Sequence, residues 1–253
     1  MNISVNDFFK PVNLNATPSY LDYEKIAPII HYTETFAKTA NISVYLIDYY
    51  KRGFLYVSDN PLFLCGKTAK QVQQSGYLYY FKNVPDEDLQ LLLEINKIGF
   101  EFYKSLALEE RMNYTIYYDF RLRQPSGHMT LINHKLSPLV LDSHGNIWVA
   151  LCIVSPSSNL TPGNILLKNS VENNLWEYDL ITNKWKEATT IKLKGMEKQI
   201  LLMSIQGYTV EKIAQQLFLS ANTIKFHRKN LLKKLKATNI SEAITAATNY
   251  GAI

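Results

Sequence analysis

The feature that most constrains this chain is a pair of short amphipathic helical segments separated by only three residues. The first, "VEKIAQQL", follows Thr209, which can cap it, and repeats apolar residues at helical spacing. The turn "FLS" comes next, and Ser220 can then cap a longer helix, "ANTIKFHRKNLLKKL". Two helices joined by so tight a turn in a small helical bundle indicate a helix-turn-helix, whose second helix enters the major groove of DNA.

Further helices are predicted on both sides of this pair. The first spans residues 195–205 and ends at "QGYT", where Gly207 suits the left-handed residue that follows a helix. The last, "EAITAATNY", is predicted to begin near Ser241, whose hydroxyl can cap it. The sequence therefore predicts a four-helix helix-turn-helix domain, which we place at residues 189–253.

The longer helix of the pair has two unlike faces. At about 100° per residue, Ile224, Leu231 and Leu235 fall on one stripe, which predicts the core side. The other face is polar and cationic, yet it includes an aromatic ring: Lys225, Asn222, Lys229, Lys233 and Phe226. An aromatic edge can contact thymine methyl groups while lysines reach guanine acceptors or phosphates, so this face suits a DNA groove. Packing of Phe226 against another domain or a partner chain is the alternative.

The charge of the chain is unevenly divided. Residues 186–253 hold eleven Lys or Arg against four Asp or Glu, a net charge of +7, whereas residues 1–185 have a net charge of −2. A cationic region attached to a faintly acidic one favours a polyanionic partner for the cationic region. A solvated basic surface without function is the alternative.

The C-terminal motifs resemble the LuxR-type DNA-binding domain, also called the NarL/FixJ type. The resemblance covers about sixty residues at fixed spacing, and its matches are Leu193, Glu197, Gly207, Ile213-Ala214, Leu217, Leu219-Ser220, Thr223-Ile224-Lys225, His227, Asn230, Lys234-Leu235, Asn239 and Glu242-Ala243. Met196 and Ile240 stand where the family usually has arginine. These departures put some phosphate or intradomain contacts in doubt, but they leave the fold expectation unchanged.

The resemblance also implies roles for individual residues. Lys225, Phe226 and Lys229 match the positions that face the bases. Thr223 and His227 match positions that support the helix or contact phosphates, and the last helix matches the dimerisation element. Together with Asn222 and Lys233, these residues are the predicted DNA-binding site. The implied partners are double-stranded DNA and a second copy of the chain, with RNA polymerase as a further candidate.

The N-terminal region predicts a mixed sheet-and-helix domain. Residues 1–40 are predicted as a helical lead-in interrupted at Pro28, and a hairpin follows in "ISVYLID" and "GFLYVS". Short helices and turns come next, and a long helix opens after Pro85 with acidic residues. Three long strands are then separated by "QPSG" and "DSHG", which are strong turn signals. The predicted fold class is α+β, with an antiparallel sheet, flanking helices and the C-terminal helical domain.

This order of elements resembles a PAS sensor domain over residues 41–156. The residues that carry the resemblance are Ser58-Asp59-Asn60, Gly66, Pro85-Asp86-Glu87-Asp88 and the "FRLRQPSG" turn. Residues 157–188, beginning with the Pro/Gly/Ser-rich "SPSSNLTPGN", are predicted as a linker with short strands or a hairpin at Thr182-Asn183. We assign this linker no function.

No cofactor is identified in the sensor region. The long helix lacks the histidine of haem-binding PAS domains, and "LFLCGK" does not match the cysteine motif of flavin-type light sensors, so we predict neither cofactor. The histidines lack metal-ligand spacing. Four residues on the predicted strands alternate toward one face and are candidates for a small-molecule pocket, although core packing is the favoured interpretation: Tyr118, Phe120, Trp148 and Cys152.

The sequence favours a regulator over an enzyme. It contains no nucleophile elbow, phosphate loop, zinc-ligand spacing or GxGxxG turn. The start of the chain has no signal-peptide pattern and no run of eighteen apolar residues occurs, so we expect a cytoplasmic protein without a membrane span. A quorum-sensing regulator that binds a lipid-like autoinducer is the alternative. The autoinducer-binding domain of that class carries tryptophans in its N-terminal half, whereas all three tryptophans of this chain lie at or after position 148, so this alternative is disfavoured.

Overall fold

The chain divides into two compact units. The computed structural model describes residues 3–12, 17–172 and 174–253. The first unit comprises residues up to Pro156 together with Thr161–Ala188, and the second comprises Ser157–Leu160 with Thr189–Ile253. Within the described ranges, no helix combines the length and hydropathy needed to cross a membrane.

An antiparallel sheet forms the frame of the first unit. Its strands are β1 Ser43–Asp48, β2 Gly53–Val57, β3 Tyr114–Arg123, β4 Met129–Leu141, β5 Ile147–Pro156, β6 Gly163–Asn169, β7 Leu175–Asp179 and β8 Lys184–Ala188. Across the sheet they lie in the order β2-β1-β5-β4-β3-β6-β7-β8. The predicted hairpin and the three long returning strands are present as β1–β2 and β3–β5, and the α+β class is confirmed.

Helices cover both faces of this sheet. They are α1 Tyr20–Ala40, α2 Pro61–Leu64, α3 Ala69–Ser75, α4 Leu78–Asn83 and α5 Asp86–Ser105, with 3-10 helices at Val5–Phe9 and Leu108–Asn113. The inner face packs against α2–α5 and the Val5–Phe9 helix, in a core that includes Phe8, Phe63 and Leu89. The outer face packs against α1, where Ile26 contacts Leu46 and Trp148 in a smaller cluster.

The helical lead-in differs from its prediction at Pro28. Part of residues 1–40 lies outside the described residues, but α1 continues through Pro28 without a break. Proline removes one helical hydrogen bond by lacking an N–H group. Pro28 is exposed on the side of α1 away from the sheet, so water can hydrogen-bond the carbonyl that proline leaves unpaired.

The predicted linker is largely part of the sheet. Residues 163–188 form β6, β7 and β8, and β6 pairs with β3, which extends the sheet beyond the expected boundary at residue 156. The hairpin expected at Thr182-Asn183 joins β7 to β8, with Asn183 in the left-handed region at φ 53°. The pairing joins strands that are about fifty residues apart in the chain, a partnership that local sequence patterns do not encode.

The second unit contains the four helices predicted from the sequence. They are α6 Gly195–Ile205, α7 Val210–Gln216, α8 Ala221–Lys234 and α9 Ile240–Asn249. Gly207 lies just after α6 at φ +80°, the left-handed conformation that favours glycine.

Candidate functional site

The α7–α8 pair has the local hydrogen bonds that define a helix-turn-helix. Thr209 Oγ1 accepts a hydrogen bond from the Lys212 N–H at 3.2 Å, and Ser220 Oγ accepts one from the Thr223 N–H at 3.1 Å. Each hydroxyl satisfies an N–H group that has no partner inside its helix, which sets where the helix begins. Both predicted caps are therefore confirmed.

Between these two helices the chain turns at Phe218, which has a φ of 53°. This left-handed residue reverses the chain within the three-residue turn, and its side chain is exposed. The cap hydrogen bonds and the left-handed turn together set the angle at which α8 leaves α7.

The inward stripe of α8 holds the recognition-type helix on the rest of the unit. Ile224 is fully buried among Ile200 of α6 and Ile213 of α7. Leu231 and Leu235 pack with Leu201 and with the alanines of α9. The first half of α8 is therefore anchored on α6 and α7, and its second half on α6 and α9.

The outward face of α8 presents cationic, polar and aromatic groups to solvent. Five of the seven predicted DNA-binding residues are exposed there, and they are Asn222, Lys225, Phe226, Lys229 and Lys233. The side chain of Phe226 is 61% exposed, and α8 contains no Asp or Glu. Thr223 and His227 are half-buried: the Thr223 hydroxyl lies 2.8 Å from the Ser220 hydroxyl, and the His227 ring lies 5.8 Å from the Phe226 ring.

A partly buried ion pair connects the start of α6 to the end of α8. Glu197 Oε2 of α6 accepts hydrogen bonds from the Lys194 N–H at 2.6 Å and from Lys234 Nζ of α8 at 2.8 Å. Burial would raise the pKa of Glu197, but the two hydrogen bonds and the nearby lysine charges lower it overall. Met196 and Ile240, which stand where the family usually has arginine, pack into the apolar clusters of this unit. The Glu197–Lys234 ion pair is an intradomain contact that does not depend on those two positions.

Replacement of Glu197 by glutamine is expected to lower the free energy of unfolding of this unit by about 1–2 kcal/mol, because a charge-assisted bond becomes a neutral one. Hydrogen–deuterium exchange of the α6 and α8 amides measures the change. Since folding lowers the pKa, the wild-type advantage should be complete above the unfolded value near 4.5 and decline as the pH falls below it. Glu211→Gln, at the exposed start of α7, is the charge-matched control and should change exchange little.

The start of α9 corrects one prediction. Asn239, rather than Ser241, is the cap, because its Oδ1 accepts the Glu242 N–H at 3.0 Å. Glu242 in turn accepts from the Thr238 N–H at 2.7 Å. The cap of α9 therefore lies two residues before the predicted one.

The first unit contains a cavity of about 80 Å³ between α5 and the inner face of the sheet. One ordered water needs roughly 10–15 Å³, so the space admits a compact organic molecule. Gly99 of α5 lines it, and a Cβ at that position would lie 3.3 Å from Ile116 Cδ1 of β3. The glycine therefore allows α5 to approach the sheet closely at the cavity.

Of the four predicted pocket residues, only Tyr118 lines this cavity. Phe120 and Cys152 are buried in the adjoining core, which agrees with the favoured interpretation of them as core residues. Trp148 packs on the outer face of the sheet against Tyr23 of α1, so its assignment to the pocket is wrong.

A β-bulge explains the displacement of Trp148. In the β4–β5 pairing, Ile147 lies opposite Leu141 and Val149 lies opposite Val140, so Trp148 is one extra residue. An extra residue reverses the alternation of side chains between the two faces. Trp148 and Val149 consequently both face outward, and the alternation expected from Cys152 does not extend to position 148.

A buried chain of hydrogen-bonded side chains lies beside the cavity, and the sequence did not predict it. The Tyr45 hydroxyl lies 2.6 Å from the Tyr80 hydroxyl and 2.6 Å from His134 Nε2. Burial lowers the pKa of His134 from 6.5 to about 3, so the imidazole is neutral at physiological pH. The tyrosine-rich "GYLYYFKN", which forms α4, was the signal available in the sequence.

Cys65 and Cys152 are free and buried, and burial raises the pKa of both thiols. Over the parts of the chain that the structure describes, no group of three or more His, Cys, Asp or Glu side chains could hold a metal ion.

Comparison with known proteins identifies the second unit. Residues 195–247 match the family model described as bacterial regulatory proteins, luxR family. The transcriptional repressor ThaA of Burkholderia thailandensis is 43% identical over 58 residues, and the regulatory protein SdiA of Escherichia coli is 40% identical over 57 residues. These matches cover 23% and 22% of this chain, and in each case the chain spans only 24% of the relative's length.

A structure of the Vibrio cholerae VqmA dimer is similar over 88% of this chain and 89% of that one, with 16% identity and a TM-score of 0.31. The family match, in contrast, falls on the α6–α9 frame and on the α8 residues described above. Residues 195–247 of this chain therefore form a helix-turn-helix domain of the luxR family of bacterial regulatory proteins.

Proposed function

We propose that this protein is a sequence-specific DNA-binding regulator of transcription. The observation that carries the proposal is the outward face of α8, which is cationic, free of acidic residues and presents Phe226 to solvent on a rigid helix-turn-helix frame. An acid-free cationic face attracts the phosphate backbone, and a helix held at one angle can place the same side chains against base edges each time.

The residues of α8 divide between two tasks. Lys225, Phe226 and Lys229 are proposed to face the bases, with lysine donors toward guanine and the ring toward thymine methyl groups. The other four residues are proposed to position α8, either by contacting phosphates or by supporting the helix, and they are Asn222, Thr223, His227 and Lys233. Affinity would then come largely from phosphates, and specificity from the three base-facing residues.

The first unit is proposed to supply sensing and dimer geometry. It contains the succession of strands, short helices, long helix and three strands expected from the PAS resemblance, and it encloses a cavity. As a homodimer, the protein would place two α8 helices on half-sites about one helical turn of DNA apart. A signal in the first unit would change the spacing between the two α8 helices. The protein is proposed to act in the cytoplasm, at promoters, with RNA polymerase as a further partner.

Selection from a random duplex library with the full chain tests the proposal. We expect one enriched motif with two related half-sites about 10 base pairs apart. Binding to the selected duplex should weaken steeply with salt, and Lys233→Ala should lower the slope of log affinity against log salt by about 0.9 for one lost phosphate contact.

The competing function is a protein-binding role for the basic unit. It predicts no enriched motif and duplex binding that is weak at all salt concentrations, and either result would contradict DNA recognition. Lys97→Ala on α5, which makes the same charge change in the first unit, is the matched control and should leave the salt slope unchanged.

A further inference from the structure

The cavity of the first unit has a lining without charge. Its walls come from the Val5–Phe9 helix, from α4 and α5, and from the inner face of the sheet. No Asp, Glu, Lys, Arg or His is among the residues that line it. An ionised ligand would lose its hydration there without gaining a counter-charge, and that loss strongly disfavours binding.

The same walls carry hydroxyl groups that have no partner within the described part of the chain. Tyr49, Tyr77 and Tyr118 all line the cavity, each is more than nine-tenths buried, and no side-chain hydrogen bond engages their hydroxyls. Neighbouring Tyr45 and Tyr80 differ, because their hydroxyls bond to one another. Three hydroxyls without a protein partner around a single cavity can therefore hydrogen-bond a molecule that occupies it.

These three hydroxyls are available as donors at any physiological pH. Burial raises the pKa of Tyr49, Tyr77 and Tyr118 well above the usual tyrosine value, which keeps each group protonated. A neutral tyrosine hydroxyl donates one hydrogen bond and accepts others. Carbonyl, amide and hydroxyl groups on a ligand could therefore form hydrogen bonds with these tyrosines.

The walls of the cavity are largely aromatic, which favours a ligand that contains a ring. Aromatic side chains meet around it at ring-to-ring distances of 5.5 Å for Phe8 and Tyr77 and 5.3 Å for Tyr49 and Phe100. Aromatic rings pack edge-to-face or offset with other rings at such distances. The volume of about 80 Å³ suits one ring with a short polar substituent better than a long acyl chain.

We infer that this cavity binds a small, uncharged, ring-containing molecule whose oxygen or nitrogen acceptor takes hydrogen bonds from Tyr49, Tyr77 and Tyr118. The inference rests on the proposed sensor function of the first unit and names the ligand class for it. The lipid-like autoinducer considered from the sequence belongs to a different class, which the cavity accommodates less well.

Isosteric probes separate charge from shape. Benzamide and acetophenone are neutral, whereas benzoate and benzylamine keep the ring and carry opposite charges. With the full chain, saturation-transfer NMR and calorimetry should show dissociation constants of about 1 mM or below for at least one neutral probe. Benzoate and benzylamine should bind at least about tenfold more weakly. Charged probes that bind as well as the neutral ones, or neutral probes that all fail to bind, would overturn the inference.

Hydroxyl-deleting variants locate the binding. Tyr118→Phe and Tyr49→Phe should each weaken the best neutral probe by about three- to tenfold. Neither should lower the melting temperature of the ligand-free protein, because neither hydroxyl has a partner in the described chain. Unchanged affinity in both variants would contradict the assignment.

Tyr23→Phe is the matched control on the other face of the sheet. Its hydroxyl donates to Asp48 Oδ2 at 2.7 Å, so this variant should lower the melting temperature and leave probe affinity unchanged. Binding of the selected duplex without probe should be the same in all three variants. A failure of the ligand inference would thus leave the DNA-binding result intact, and the two can be distinguished.

Discussion

Phe226→Ala and Lys229→Ala are each expected to reduce affinity for the selected duplex by about 10- to 100-fold while leaving the fold intact. Each good base contact contributes roughly 1–3 kcal/mol of discrimination. Both side chains point away from the buried stripe of α8, and neither is part of an ion pair or an apolar cluster of the second unit. Their loss should therefore change recognition without changing stability. The double variant should bind the selected duplex no better than an unrelated one.

The two variants should differ in how they fail. Lys229→Ala removes a charge, so its loss should include a lower salt slope, whereas Phe226→Ala should keep the slope and relax preference at one base pair. Electrophoretic shifts against duplexes altered one base pair at a time measure both effects. If Phe226→Ala leaves base preference unchanged and weakens self-association in sedimentation experiments, the ring serves a partner chain and the groove assignment is wrong.

The first unit is expected to lose stability when the pH falls from 7 to 5, and His134 is expected to be a principal cause. Its pKa is about 3 when folded and near 6.5 when unfolded, so the unfolded chain takes up a proton that the folded chain does not. Stability from this residue is complete above pH 6.5 and decreases toward pH 3. A shift of this size corresponds to about 2 kcal/mol between pH 7 and pH 5.

Urea unfolding at several pH values, followed by tryptophan fluorescence, measures this loss. His134→Leu replaces the imidazole with an apolar side chain of similar size and removes the titration, so its free energy of unfolding should vary about 2 kcal/mol less over the same range. His128→Leu, at an exposed turn between β3 and β4, is the control and should retain the wild-type slope. An equal pH slope in the His134 variant would show that the imidazole is not held neutral by burial.

Local patterns predicted the second unit almost residue by residue. Three of its four helices begin at side chains that cap their own backbone, its breaks coincide with Gly207 and the "FLS" turn, and its core residues repeat within one helix. Each of these signals involves atoms within four residues of one another. For the same reason, helical angles alone predict the exposed face of α8.

The first unit was predicted less completely because its decisive features join distant residues. Alternation along β5 suggested that Trp148 and Cys152 share a face, and the bulge opposite Val140 separates them. The cavity depends on α5 approaching β3 at Gly99. The tyrosines proposed to bind its ligand come from the turn after β1, from β3 and from the residue before α4. His134 looks ordinary in the sequence, and only burial beside Tyr45 gives it an unusual pKa.

The sequence by itself determined which segments are helices and strands, where most of them begin and end, and which face of α8 is cationic. These properties follow from backbone caps, turn residues and hydrophobic period, all of which act over a few residues. The tertiary structure alone decided that residues 163–188 extend the sheet, that Trp148 lies outside the cavity and that Tyr49, Tyr77 and Tyr118 all line it. Strand partnership, bulge position and burial arise from contacts between residues tens of positions apart, and no local pattern specifies them.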